Sequence, residues 1–126
     1  MNQVLLVDDN PVQLSVREAV LRKAGFQVSI ASTAESALAT LRIFPNRIGV
    51  IVTDHLMPGC SGPELVRRIR AENDWIAVVV LSGLPDANSE YAGLEVVFRV
   101  KPLPPPELIE LVHSSLAEAN RHRGAA

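Results

Sequence analysis

Short apolar runs recur along the chain at positions 4–7, 48–52, 76–81 and 96–100, and a weaker one lies at 27–31. Each is too short for a helix of ordinary length. Most are rich in Val and Ile, which suits strands buried on both faces of a sheet. The stretches between them carry apolar residues at helical spacing. Asn10 and Pro11 supply an N-cap and a first helical residue. Val12, Val16, Ala19, Val20 and Ala24 form the stripe this first helix is expected to bury, and Gly25 ends it. Ser32 with Glu35 reads as a capping box for a second helix with Ala34, Ala37, Leu38 and Leu41 inward, closed by Pro45 and Asn46. Ser61 with Glu64 caps a third, which buries Leu65, Val66 and Ile69. Between 84 and 93 the pattern weakens around Pro85, Asp86, Asn88, Ser89 and Gly93, so a fourth helix is expected to be short, irregular or absent. Three prolines at 104–106 lead into a last helix with Leu108, Ile109, Leu111, Val112, Leu116 and Ala119 on its apolar face, and the polar tail from Arg121 is expected to fray.

Strands alternating with helices imply an α/β fold: a doubly wound, five-stranded parallel sheet with helices on both faces. The 126 residues make one domain, 1–126, the natural count, and 48% apolar residues are enough for a core. No run approaches the ~20 apolar residues of a membrane span, and nothing at the N-terminus resembles a signal peptide. The lone Cys60 forms no internal disulfide, consistent with a cytoplasmic protein. A net charge of −2 with mixed signs gives no reason to expect nucleic-acid or membrane partners. The densest basic cluster, Arg67, Arg68 and Arg70, reads as the solvated face of the third helix. His55 is expected to face solvent, His113 and His122 to be exposed, Cys60 to be a loop residue, and Trp75 to pack at the edge of the fourth strand.

The chemistry collects at the strand ends. Asp8 and Asp9 follow the first strand, Asp54 the third, Ser82 the fourth and Lys101 the fifth. In open α/β sheets that edge is where ligands bind. Either acid of the first pair could be a helix cap, but three carboxylates at neighbouring tips repel unless a cation joins them. A hard divalent ion with oxygen ligands resolves this, and Mg2+ is the usual choice where phosphate is also present. Lys101 would meet a phosphoryl oxygen and Ser82 would add a hydroxyl. Acids, a further carboxylate, a lysine and a hydroxyl are what phosphoryl transfer to an aspartate requires.

The motifs VDDNP at 7–11, VTDHLMPGCSG at 52–62, LSG at 81–83 and FRVKP at 98–102, in this order and spacing, resemble the receiver (response-regulator) domain of two-component signalling. The resemblance covers the chain from Val4 to about Ala119. It implies the flavodoxin-like strand order 2-1-3-4-5, which is a worked example of the general rule for ligand sites in such sheets. It further implies that Asp54 accepts phosphate, and that Asp9 binds Mg2+ directly while Asp8 acts through water. The Leu56 backbone carbonyl would be the remaining protein ligand. Lys101 would contact the phosphoryl group through a strand end followed by a cis Lys101–Pro102 bond, and Ser82 and Phe98 would be the switch hydroxyl and aromatic. Histidine kinases or phosphotransfer proteins are the implied phosphodonors and an unknown protein the downstream partner. Such a chain is no enzyme toward other substrates and acts as a monomer or weak dimer.

This sequence departs from the family pattern in three places. Leu56 stands where relatives often carry a polar side chain. The segment from Ser82 to Lys101 is short, chiefly at the fourth helix, part of the surface through which relatives commonly signal. Little more than one helix follows Lys101, so a stand-alone receiver is expected unless the chain is excised from a hybrid kinase. Val12, Ser15, Leu103 and Pro104 are the expected docking residues for the phosphodonor. The alternatives are a scaffold that keeps the fold without phosphorylation, and a Mg2+-dependent phosphohydrolase with an Asp nucleophile. The latter usually places its second acid two residues after a first-strand nucleophile, whereas Asp8 and Asp9 are adjacent.

Overall fold

The computed structural model describes residues 3–124. Strands β1 (Gln3–Val7), β2 (Gln27–Ala31), β3 (Ile48–Asp54), β4 (Ala77–Ser82) and β5 (Val97–Val100) form one parallel sheet in the order β2-β1-β3-β4-β5. Helices α1 (Pro11–Lys23), α2 (Ala34–Ile43), α3 (Gly62–Glu72) and α4 (Pro105–Gly124) connect and follow them. Between β4 and β5 the chain makes only a 3-10 segment, Pro85–Tyr91, the short irregular element expected there.

Alternating strand residues supply two cores. Leu5, Val7, Ile51, Val78 and Val80 pack with Ala34, Ala37 and Leu38 of α2 and Leu65, Val66 and Ile69 of α3. Val4, Leu6, Val50, Val52, Val79 and Leu81 pack on the other face with Leu14 and Leu21 of α1 and Leu108, Val112 and Leu116 of α4. Every residue of β3 is buried, which its unbroken apolar run anticipates.

Several local expectations change. The buried residues of α1 are Leu14 and Leu21, not the valine stripe, and Val12 and Val16 are 70% and 56% exposed. The helix carries two apolar stripes, and the valine one borders an open groove against Leu103 and Leu108. The α2 cap is Thr33, not Ser32: its hydroxyl accepts from the Ser36 amide, and the Ser36 hydroxyl accepts from the Thr33 amide. Glu35 is thereby left to pair with Arg68 at 2.8 Å. Helix α4 continues past Arg121 to Gly124, where the polar sequence predicts a frayed tail. Arg70 is not part of a solvated face. Its guanidinium donates to the carbonyls of Ile76, Leu94 and Glu95 and ties α3 to the chain entering β4 and β5.

Candidate functional site

Asp54 ends β3, and Asp8 and Asp9 directly follow the neighbouring strand β1. The register pairs Val7 with Thr53 and Asp54 with Leu81, so β1, β3 and β4 finish at one level. One carboxylate oxygen from each of Asp8, Asp9 and Asp54 lies within 4.8 Å of the others. Asp8 and Asp54 are buried and Asp9 is exposed, which leaves the cluster an open mouth. The donor set is all hard oxygen, the chemistry that a magnesium or calcium ion takes.

Lys101 closes the site from β5, its Nζ 2.9 Å from Asp54 Oδ1. Its backbone amide donates to the Ser82 carbonyl, and the Lys101–Pro102 peptide is cis. Ser82 is buried beside it. Its hydroxyl accepts from the Leu84 amide and donates to the Leu84 carbonyl, so it is held within its own turn. The structure thus gathers Asp8, Asp9, Asp54, Lys101 and Ser82 at one sheet edge. The Leu56 side chain is exposed in the loop after β3.

Asn10 is the helix cap. Its Oδ1 accepts from the amides of Val12 and Gln13. Asp8 is therefore not needed as a cap, although its Oδ1 accepts from the Asn10 amide. Burial, and then the hydrogen bond and charge of Asp54, push the Asp8 carboxyl up to about 6 against the pull of the Asn10 amide and Arg17.

Two residues at the site are not evident from sequence. Arg17 Nη1 lies 3.0 Å from Asp8 Oδ2 and 3.3 Å from Asp54 Oδ1. Gln13 Oε1 accepts from both Arg17 Nη2 and Lys101 Nζ. The available signal was the spacing Asn10, Gln13, Arg17, a polar stripe starting at the acidic strand tip.

His55 departs from its expected solvent-facing position. It is 5% exposed, its Nδ1 lies 2.6 Å from the Tyr91 hydroxyl, and its Nε2 lies 3.5 Å from Glu90. Tyr91 is buried against Phe98, with ring centroids 5.9 Å apart. The residue after Asp54 is thereby linked through the 3-10 segment to the half-buried aromatic of β5. Gly62 makes room for this contact, since a Cβ there would collide with the Tyr91 hydroxyl and the His55 carbonyl. Gly62→Ala is expected to cost about 1.5 kcal/mol by overpacking. Urea unfolding would show it, and the paired Gly62→Ala, Tyr91→Phe protein should recover part of the loss.

A parallel sheet of this order with acids and a lysine at its carboxyl edge defines a receiver-type α/β protein. The response regulator receiver domain model matches residues 4–113. The transcriptional regulatory protein PrrA of Mycobacterium tuberculosis is 35% identical over 126 residues, covering 98% of this chain and 52% of its own length. A response regulator receiver protein of Pseudomonas putida superposes with a TM-score of 0.80 at 33% identity, over 89% of this chain and 95% of that one. The chemotaxis protein CheY4 of Vibrio cholerae gives 0.81 at 27% identity, over 91% and 98% of the two chains. The chain belongs to the response regulator receiver domain family of two-component signalling. It spans about half the length of PrrA and a fifth or less of some plant response regulators. No helix among the described residues is long and apolar enough to cross a membrane.

Proposed function

We propose that this receiver takes a phosphoryl group from a phosphohistidine of a histidine kinase or phosphotransfer protein onto Asp54, and signals by protein–protein contact. The observation that carries this reading is the convergence of Asp8, Asp9 and Lys101 on Asp54. An Asp54 carboxylate oxygen attacks phosphorus as the P–N bond breaks, and the donor imidazole keeps the electron pair. Lys101 neutralises a phosphoryl oxygen and holds Asp54 in place. Asp8, Asp9, Asp54 and the Leu56 carbonyl would hold Mg2+, which supplies charge neutralisation to the transferring group when bound. Ser82 leaves its bonds to Leu84 to meet the phosphoryl group, and Phe98 repacks against Tyr91, changing the surface a partner meets.

The donor's docking surface is the apolar groove of about 250 Å³ beside the acids, where Val12, Val16 and Leu103 line the wall next to Lys101. Incubation with Mg2+ and acetyl phosphate, followed by intact-mass measurement, tests the reading. Wild type is expected to gain one phosphoryl mass and Asp54→Ala none. Gain by both proteins would move the acceptor elsewhere, and steady phosphate release from unrelated esters would favour a hydrolase.

A further inference from the structure

The acid site already contains a cation that belongs to the chain. A single nitrogen, Arg17 Nη1, lies within hydrogen-bonding distance of both Asp8 and Asp54, and the arginine side chain is only 15% exposed. These are two of the three carboxylates that converge at the cluster. An ion held by these carboxylates would face a positive charge at close range and would compete with Arg17 for their negative charge. Arg17 also has an alternative seat. Its other nitrogen, Nη2, already reaches Gln13 Oε1 at 3.2 Å, and Arg17 lines the apolar groove with Val12 and Val16.

We propose that Arg17 is a resident counter-ion that a divalent cation must displace, and that the displaced guanidinium swings onto Gln13 at the rim of the groove. The inference rests on the reading of the acids as a Mg2+ site. It adds that loading the ion rearranges the groove that Arg17 shares. Without a divalent ion, Arg17 relieves the repulsion of Asp8 and Asp54. With one, it is redundant at the acids and adds a positive charge to the rim. Arg17 thereby couples the ionic state of the site to the face offered to a partner.

Titration calorimetry with MgCl2 tests this on wild type, Arg17→Gln and Arg17→Lys, beside thermal melts in EDTA and in saturating Mg2+. Losing the competing charge should tighten Mg2+ about tenfold in Arg17→Gln, while Arg17→Lys, which keeps a cation, stays closer to wild type. Arg17→Gln should melt below wild type in EDTA and draw level in Mg2+. Equal Mg2+ affinity in wild type and Arg17→Gln, or weaker affinity in the variant, overturns the inference and leaves the Mg2+ site standing. So does an equal fall in Tm with and without the ion, which marks a packing role only. Absence of Mg2+ binding by all three proteins overturns both the site reading and the inference. Phosphoryl uptake, followed separately by mass, reports on Asp54 whatever the calorimetry shows.

Discussion

Arg70→Ala is expected to lower the unfolding free energy by about 3 kcal/mol, seen as a reduced urea midpoint at unchanged slope. The guanidinium reaches the Ile76 carbonyl at 2.6 Å, the Glu95 carbonyl at 2.9 Å and the Leu94 carbonyl at 3.0 Å. Those carbonyls lie where the chain enters β4 and β5, and Glu95 holds a left-handed φ of 55° in that turn. Alanine removes all three charge-assisted bonds at once. Water reaches part of the gap, so the loss is smaller than three buried bonds would give. Arg70→Lys keeps the charge without the planar fork and should fall between the two. The corresponding drop in Tm is about 10 °C for a domain of this size. A change within about 0.5 kcal/mol would mean that Arg70 behaves as an ordinary surface arginine.

That arginine also shows where reading the sequence stops. The strands were legible because β-branched runs between turn residues have few other uses, and β2 occupies its expected 27–31. The acids, Ser82 and Lys101 were legible because each ends a strand or follows one at once, so the fold alone carries them to one edge. The weak fourth helix followed from its density of turn residues and is a 3-10 segment. Helix faces were harder. In α1 the valine and leucine stripes are both apolar, and the way the helix lies on β1, β2 and α4 decides which is covered. Contacts between distant irregular segments left no local trace. His55 is buried by Tyr91, 36 residues away, and Arg70 bonds to carbonyls 24 and 25 residues on. The place of Arg17 depends on how α1 lies across β1 and β2, a tertiary fact rather than a periodicity.

Asp8→Asn is expected to stabilise the protein in EDTA above pH 6 by on the order of 2 kcal/mol, after allowance for the solvent that reaches the site through its open mouth. The folded Asp8 carboxyl sits at about 6 against 3.8 when free, burial being the largest cause. A group raised on folding contributes stability fully below its unfolded value, and that contribution disappears as pH rises through its folded value. Wild type without metal should therefore lose stability between about pH 4 and 6 from this group. The Asp8→Asn protein should lack that slope, because the amide carries no proton to lose. Melts followed by circular dichroism at about pH 3.5 and about pH 7.5, on either side of that window, would show the variant's advantage only at the higher pH. Adding Mg2+ should reverse the ranking at the higher pH. The ion would stabilise wild type by binding the folded state and would gain far less from the amide. A variant no more stable than wild type in EDTA at the higher pH would mean that Arg17 and the Asn10 amide already compensate the buried charge. The strand-tip acids would then cost the fold nothing when no ion is bound.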